Sequence, residues 1–334
     1  MFSFFMTIRT SESIALERQL LTQTIRNFFV QRDFIEVQTP VCVPSPGMEP
    51  NLFPFETKVI SDKGIIYPCG LITSPEYSMK KLLGKGLEKI FTLTPVFRNR
   101  ELFGGQHNPE FIMLEWYGQG KDYQFCMQET EALVRACETV FIAHGFCRDT
   151  TQSYTYNRVP DLFLDYVGID LGTATQEELK KACEKWGIGT CVDDTQSDLF
   201  FRLFLFKIEP LLQKQEAQFL YDYPLYQAAL SSLTPDGLYG QRFELYVRGM
   251  ELCNGFTELT DTTEQRRRFL EEQEERRLLG KTVFPIDEEL LRLLPCIRYP
   301  TYGNALGIDR LHMMLIGASS IEDVLLFPAN QIFV

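Results

Sequence analysis

The chain has 334 residues, of which 45% are hydrophobic and 23% are charged. These proportions are typical of a globular protein with a sizeable core and exclude long disorder. The formal net charge is -12, which disfavours general nucleic-acid binding and suits a cationic small substrate or a basic protein partner.

The sequence gives no sign of a membrane, secretory or metal-scaffold protein. No stretch approaches the roughly 18 apolar residues of a membrane span, and the start lacks the basic and apolar regions of a signal peptide. Nine cysteines are scattered without a CxxC pair, which argues against a disulfide framework or a zinc site. We therefore expect a cytoplasmic protein with reduced thiols and no membrane contact.

The N-terminal part of the chain predicts a helix followed by a strand. Apolar residues recur at helical spacing over residues 11–31, with Ser11 or Ser13 as the candidate cap. Residues 34–38 alternate between apolar and polar as a strand does, and Pro40 ends that strand.

The next segment predicts a helix, a hairpin and a second helix. The first helix spans roughly residues 75–83. Residues 90–97 and 111–117 predict two strands, and the polar, glycine-containing stretch between them predicts a hairpin loop. A long helix follows over residues 121–144.

The remaining chain alternates less regularly. We interpret residues 150–215, which are mixed and mostly helical, as an insertion into a single domain that spans residues 1–334. Strands are predicted at 217–221 and 241–248, a highly charged helix at 264–279, and an apolar helix at 308–316. Hairpins and helices without regular βαβ alternation predict an α+β fold, with an antiparallel sheet flanked by helices.

Four segments carry charged or glycine-rich patterns that suit chemistry. Residues 97–101 lead by a loop to 107–111, and an arginine at a strand end suits phosphate or carboxylate. Residues 251–258 hold two carboxylates and an amide that suit Mg²⁺. Residues 303–310 place glycines before a helix, and residues 73–76 open one. Taken singly, each is also explained as a salt-bridged hairpin, a polar turn or a helix start.

Taken in order, these segments resemble the three signature motifs of class II aminoacyl-tRNA synthetases. Residues 27–40 resemble motif 1, FRNRE…HNPEFIMLEWY resembles motif 2, and GNALGIDRL resembles motif 3. The lysyl subgroup matches best, through HNPEF, MLEWY and ELCNGFTEL. The resemblance covers residues 12–328 and implies the class II catalytic fold, with a homodimer built through motif 1.

In three features the sequence resembles a paralogous branch, the elongation factor P–(R)-β-lysine ligases, more closely than it resembles the lysyl-tRNA synthetases. Motif 1 begins close to Met1, so we expect no OB-fold domain before it. The wording TSPEYSMK is similar to that branch, and Ala305 stands where lysyl-tRNA synthetases usually have glycine. The branch implies that ATP and Mg²⁺ activate (R)-β-lysine or lysine as an acyl-adenylate, which is transferred to a lysine of elongation factor P.

The resemblance also implies residue roles. Arg98 would bind the α-phosphate and the substrate carboxylate, Arg310 would bind the γ-phosphate, and both would be catalytic. The implied ATP contacts are Arg98, Asn99, Arg100, Glu101, Asn108, Phe111, Glu251, Leu252, Gly307 and Arg310. The implied amino-acid contacts are Ser74, Pro75, Glu76, Glu115, Tyr117, Asn254 and Glu258. Glu251 and Glu258 would carry Mg²⁺.

One departure from the family pattern concerns motif 2. The family usually has Phe-Arg-Asn-Glu, whereas Arg100 stands here at the glutamate position and the loop to His107 is one residue longer. A one-residue bulge would return Glu101 to the adenine side.

Two other functions stay open on the sequence alone. One is a truncated lysyl-tRNA synthetase-like enzyme that acts on tRNA or another small acceptor, and the net charge of -12 weakens it. The other is a non-catalytic regulatory paralogue, which Arg100 favours.

Overall fold

The computed structural model describes residues 10–147, 150–151, 153–228 and 230–333. Its strands are β1 (Ile35–Glu36), β2 (Cys42–Val43), β3 (Glu56–Ile60), β4 (Ile66–Leu71), β5 (Lys89–Phe97), β6 (Glu110–Gln119), β7 (Tyr154–Arg158), β8 (Ala217–Pro224), β9 (Tyr239–Val247), β10 (Met250–Thr257) and β11 (Thr301–Gly307). Its helices are α1 (Ser11–Val30), α2 (Glu76–Gly84), α3 (Tyr123–Ala143), α4 (Val159–Tyr166), α5 (Gln176–Lys185), α6 (Gln196–Leu203), α7 (Glu209–Leu212), α8 (Thr262–Leu278), α9 (Glu288–Leu293), α10 (Ile308–Ile316) and α11 (Ala329–Ile332).

A large sheet organises these elements. In the described residues it has eight strands in the order β1-β5-β6-β11-β10-β9-β8-β7, and a smaller sheet has the order β2-β4-β3. The six inner strands, β5, β6, β11, β10, β9 and β8, each pair antiparallel with one another in this order. The edge strands β1 and β7 pair parallel with β5 and β8. The predicted α+β fold, with an antiparallel sheet flanked by helices, is confirmed.

The large sheet has one face against helices and one face turned to the site. Leu114 and Trp116 of β6 belong to the apolar cluster that α1, α3 and α10 share with the sheet. Successive side chains of a strand point to opposite faces, so Met113, Glu115 and Tyr117 lie on the other face. That second face carries the site.

The main apolar cluster fixes this arrangement. Phe29 of α1 is fully buried and stacks on Phe91 of β5 with ring centroids 4.9 Å apart. Trp116 donates a hydrogen bond of 2.9 Å to Glu129 of α3, so its buried indole nitrogen is satisfied. These contacts hold β5 and β6 firmly beneath the site.

Residues 150–215 contain β7 and four short helices. A π-helical turn, Phe204–Ile208, joins α6 to α7. Apolar side chains of these helices, such as Phe163 and Phe200, form a cluster that also includes Leu220 of β8 and Tyr239 of β9. The mostly helical content agrees with expectation, and the interpretation of this segment as an insertion stays a prediction.

Several predicted boundaries are wrong in detail. The cap of α1 is Thr10, whose side chain accepts from the backbone nitrogen of Ser13. The strand expected at 34–38 is only two residues long. No strand was predicted within 251–258 or 303–307, where the structure has the central strands β10 and β11. Polar and glycine residues such as Glu251, Asn254 and Gly307 line the cavity from these strands, and they replace the apolar residues that usually reveal a strand's alternation.

In the part of the chain that the structure describes, none of the helices combines the length and the apolar character that a membrane span requires.

Candidate active site

The second face of the large sheet forms the floor of a cavity of about 370 Å³. Its walls come from the loop after β2, the start of α2, the hairpin between β5 and β6, and α8. Residues predicted as site residues that line it are Ser74, Glu76, Arg98, Glu101, Asn108, Phe111, Glu251, Leu252, Asn254, Gly307 and Arg310. The cavity therefore brings most of the sequence-predicted residues together.

Arg98 is a half-buried cation that forms no salt bridge in the described residues, although Glu49, Glu101 and Glu251 lie near enough to act on its charge. It follows the last residue of β5, and its backbone nitrogen donates to Pro109 across the hairpin. Its guanidinium carbon lies 5.2 Å from the ring centroid of Phe111, and its Nε has no hydrogen-bond partner in the described residues. Burial lowers the pKa of Arg98. Such a group is costly unless a ligand supplies an anion.

Arg310 and Glu251 lie together at one end of the cavity. Arg310 is in the first turn of α10 and donates 2.9 Å to the backbone oxygen of Glu251. Burial raises the pKa of the Glu251 carboxyl, as does the neighbouring charge of Glu244, while Arg310, Arg242 and Arg98 lower it. This end combines cations with a carboxylate, as a nucleotide–magnesium site requires.

The loop of motif 2 turns Glu101, rather than Arg100, toward the cavity. Arg100 has a φ of 60°, which is the left-handed region, and its guanidinium lies 4.5 Å above the ring of Phe53. Glu101 lines the cavity and pairs with His107 at 2.9 Å. The hydrogen bond from His107 lowers the pKa of Glu101. This geometry agrees with the bulge expected from the sequence.

The side chains of Asn99 and Asn108, at the two ends of this loop, form hydrogen bonds within the protein. The Asn99 side chain accepts from the backbone of Arg100, and Asn99 does not line the cavity. The Asn108 side chain donates 2.6 Å to the oxygen of Glu110 and accepts 3.0 Å from Ala329. Asn99 and Arg100 are therefore not brought to the cavity wall, although both were expected there.

Behind Ser74 and Glu76 lies a buried group formed by Glu115, Tyr117 and Glu258. These three residues were expected to contact the amino acid, but they do not line the cavity. Ser74 and Tyr117 donate hydrogen bonds of 2.5 Å and 2.8 Å to the two oxygens of Glu115, which is fully buried.

Burial, together with the charge of Glu76, raises the pKa of Glu115 to about 8. Burial also raises the pKa of Glu258 to about 7. Burial thus disfavours the ionised forms of both groups, and a positive charge beside them, such as the ammonium of Lys80 next to Glu258, counteracts this effect.

Gly303 of β11 allows Glu258 and Tyr117 to lie close to the strand backbone. A side-chain carbon at this position would collide with the carboxylate of Glu258 and the ring of Tyr117. Only glycine allows the sheet to approach both groups so closely. Pro75, which was expected to contact the amino acid, precedes α2 and does not line the cavity.

The structure does not bring Glu251 and Glu258 together, which corrects the expectation of a shared magnesium site. They stand seven residues apart along β10, a separation of roughly 20 Å in an extended strand. Glu258 pairs with Lys80 at 2.6 Å instead. Glu244 of β9 lies beside Glu251, since Tyr246 pairs with Glu251 and Glu244 lies two residues away on the same face.

The carboxylates near Glu251 determine whether Mg²⁺ could bind in this cavity. No group of three or more His, Cys, Asp or Glu side chains with metal-binding spacing occurs in the described residues. Mg²⁺ commonly takes one or two carboxylates and completes its shell with phosphates and water. Glu251, with Glu244 beside it, fits this limited requirement. Glu244 is already held by Arg242 at 2.5 Å and by two tyrosine hydroxyls.

Sequence reasoning missed several residues of this site. Lys80 was detectable, because it stands four residues after Glu76 on a predicted helix, where side chains meet. Glu244 and Arg242 were detectable as charges inside an otherwise apolar strand. Glu49 and Glu272 also line the cavity, but nothing in their local sequence distinguishes them from loop and surface carboxylates.

Comparison with known proteins agrees with this geometry. The family model described as tRNA synthetases class II (D, K and N) matches residues 5–331. The chain is 36% identical over 333 residues to the elongation factor P–(R)-β-lysine ligase of Pectobacterium atrosepticum, covering 96% of this chain and 97% of that protein. It is 37% identical over 324 residues to the ligase of that name from Salmonella typhi, covering 95% of each chain.

The matched residues span almost the whole chain and include every element of the cavity. Members of this family are ligases that use ATP. The chain therefore belongs to the class II tRNA synthetases of the D, K and N group and is an ATP-dependent ligase.

Proposed function

We propose that the chain activates (R)-β-lysine or lysine with ATP and transfers the acyl group to a lysine side chain of elongation factor P. The observation that carries this proposal is Arg98, a half-buried guanidinium that lines the cavity with an Nε that has no hydrogen-bond partner in the described residues. Relatives that match nearly the full chain are named as ligases of this kind, which supports it.

In the first step, a carboxylate oxygen of the amino acid attacks the α-phosphorus of ATP, and pyrophosphate leaves. Arg98 holds both the carboxylate and the α-phosphate and stabilises the charge that develops between them. Arg310 binds the γ-phosphate. Phe111 stacks on the adenine, and Glu101 faces it.

Magnesium, when bound, neutralises charge on the phosphates. Glu251 would hold it, with Glu244 adding negative charge beside it. Arg310 keeps the backbone of Glu251 in place through its hydrogen bond of 2.9 Å.

Glu76 and the buried group behind it select a substrate with amino groups. Glu76 faces the cavity and receives one ammonium group, and Glu115, Tyr117 and Glu258 receive the distal one. Desolvating a dication is costly unless carboxylates pair with it, so a neutral side chain gains nothing from these groups. Asn254 lines the cavity, where Arg242 fixes its side chain at 3.1 Å.

In the second step, a neutral lysine amine of the acceptor attacks the acyl carbon, the bond to the phosphate oxygen breaks, and AMP leaves. We infer that the acceptor is a protein rather than tRNA, because the chain is strongly acidic. A homodimer and a cytoplasmic location stay predictions.

The test is incubation of the protein with ATP, Mg²⁺, (R)-β-lysine and elongation factor P. We expect mass spectrometry to show one added lysyl-type group on the factor, and none with the variant Arg98→Met. Charging of tRNA without modification of the factor would contradict the proposal and favour a synthetase-like enzyme. The absence of any activation would favour a regulatory paralogue.

A further inference from the structure

Two carboxylates that the proposed function does not use, Glu49 and Glu272, line the cavity, whereas Glu115 and Glu258 are buried behind its wall. Glu49 comes from the loop between β2 and β3, and Glu272 comes from α8. Both line the cavity together with Glu76. No described Lys, Arg or His forms a salt bridge with either carboxylate, whereas Glu76 is paired with Lys80.

Two arginines near this pair, Arg276 and Arg268, are committed to other partners. Arg276, which is buried, donates to the backbone oxygens of Glu49, Leu52 and Thr282 and so fixes the loop that carries Glu49. Arg268 donates to Glu264 and to the backbone oxygen of Ser231. Arg276 and Arg268 therefore position the loop and the helix. Arg98, which lines the same cavity, acts on the charge of Glu49 without forming a salt bridge with it.

The carboxylate of Glu49 has an unused acceptor. Although the residue as a whole is partly exposed, its Oε2 is closed to solvent and accepts no hydrogen bond from any described residue. A buried acceptor without a donor costs roughly 1–3 kcal/mol, so a ligand that donates there binds favourably. This observation is independent of the charge of the cluster, and it indicates that the donor comes from a bound molecule.

The electrostatic surroundings are consistent with a missing cation. Burial raises the pKa of Glu49 and Glu76 raises it further, while a hydrogen bond from the residue's own backbone and the charges of Arg98 and Arg276 lower it. Burial, together with Glu49, Glu76 and Glu275, raises the pKa of Glu272 to about 8, against the opposing charge of Arg268. Tyr77 lies against the same group, and its pKa is raised well above the usual range by burial and these carboxylates.

We propose that Glu49 and Glu272 form an ammonium-binding site in this cavity, separate from the buried group of Glu115 and Glu258. The ligand is a primary ammonium group, and the inference rests on the proposed function. Two sources carry that chemistry in the reaction. One is the amino group of the activated amino acid that is nearer its carboxylate, which this pair would then bind together with Glu76. The other is the lysine side chain of the acceptor protein, before it loses the proton that makes it a nucleophile.

The experiment compares Glu49→Gln and Glu272→Gln with a matched control, Glu271→Gln. Glu271 is the neighbour of Glu272 on α8, but its side chain is 61% exposed and pairs with Arg267 on the surface. Glutamine keeps the shape and removes the charge. Thermal unfolding verifies that each variant is folded, and Glu272→Asp tests whether a shorter carboxylate restores the lost activity in part.

Two assays distinguish whether the ammonium group belongs to the activated amino acid or to the acceptor lysine. ATP–pyrophosphate exchange is measured with (R)-β-lysine and with 6-aminohexanoate, which lacks the amino group nearer the carboxylate. Transfer is measured as modification of elongation factor P. A loss of at least tenfold in kcat/KM for (R)-β-lysine, with no loss for 6-aminohexanoate, assigns the site to the activated amino acid. A tenfold loss in transfer with exchange within twofold of wild type assigns it to the acceptor lysine.

The inference is overturned if both variants stay within twofold of Glu271→Gln in every assay while the wild-type protein is active. It is also overturned if both amino-acid substrates lose exchange equally, because the pair would then act on the fold or on ATP. A wild-type protein that exchanges pyrophosphate with no amino acid would instead refute the proposed function itself.

Discussion

The ammonium of Lys80 lies 2.6 Å from a carboxylate oxygen of Glu258, and each of these side chains is only 1% exposed. Its other neighbour is Glu76, also at 2.6 Å. Burial alone would lower the pKa of Lys80, but the charges of Glu258 and Glu76 outweigh that effect and raise it. One cation thus holds two carboxylates that would otherwise repel each other, and it keeps them in place beside the cavity.

Replacing Lys80 by methionine should destabilise the protein strongly. The substitution leaves Glu258 buried without its partner, which typically costs about 3–5 kcal/mol. The control is Lys85→Met, whose ion pair with Glu289 is on the surface and is worth about 0–1 kcal/mol. Urea unfolding of both variants measures the difference. Equal losses for Lys80→Met and Lys85→Met would refute this account of the buried pair.

The buried carboxyl of Glu115 should make stability depend on pH. Its pKa is about 8 in the folded protein, raised from 4.5, so the folded state holds a proton that the unfolded state has lost. The stabilisation is present below about pH 4.5 and is lost as the pH rises through about 8. Compared with wild type, Glu115→Gln should become relatively more stable as the pH increases over that window.

Glu288 is a control because its pKa is shifted in the opposite direction to that of Glu115. It is exposed on α9, and the hydrogen bond from Arg266 lowers its pKa. The unfolding free energies of wild type, Glu115→Gln and Glu288→Gln, measured across the same pH range, test the sign. A difference between Glu115→Gln and wild type that does not change with pH would contradict the raised pKa.

Arg98→Met should abolish activation while leaving the fold intact. The variant removes the group that holds the α-phosphate, so we expect at least a hundredfold loss in pyrophosphate exchange, in the range seen for lost charge stabilisation. It also removes a half-buried guanidinium whose Nε has no hydrogen-bond partner in the described residues, so the free energy of unfolding should stay level or rise.

The control is Arg100→Met, two residues away. Arg100 is exposed, lies over Phe53 and does not line the cavity, so exchange should stay within a few-fold of wild type. If Arg100→Met loses as much activity as Arg98→Met, the assignment of motif 2 to Arg98 and Glu101 is wrong.

Glu251 and Glu258 should differ in which ligand they affect. Glu251→Gln should raise the magnesium concentration needed for half-maximal exchange, because it removes a carboxylate from the phosphate end. Glu258→Gln should raise the KM for the amino acid and leave the magnesium dependence unchanged. Titrations of both ligands on each variant measure this, and a magnesium effect of Glu258→Gln would restore the shared site that the geometry opposes.

The sequence predicted much of the fold because most elements follow ordinary periodicity. The apolar faces of α1 and α3 and the hairpin of β5 and β6 were recognisable from spacing alone. The central strands β10 and β11 were missed, since Glu251, Asn254 and Gly303 replace the apolar residues that usually mark a strand. The polar and glycine residues that form the site are therefore the same residues that made these two strands unrecognisable from the sequence.

The composition of the site was predictable only as far as the motifs reach. Arg98, Glu115 and Arg310 stand in recognisable segments, and the cavity brings Arg98 and Arg310 together. The pairing of Glu258 with Lys80 depends on how α2 meets the end of β10, which spacing along the chain cannot show. The same holds for Glu49 and Glu272, which are more than two hundred residues apart in sequence.

The central claim is that this cavity activates a diamino acid, and ATP–pyrophosphate exchange with a panel of amino acids tests it most directly. The panel contains (R)-β-lysine, lysine and 6-aminohexanoate, with leucine as the uncharged control. We expect exchange with (R)-β-lysine or lysine and none with leucine, since only a cationic side chain gains from Glu115 and Glu258. Exchange with no member of the panel, or equal exchange with leucine, would contradict the account.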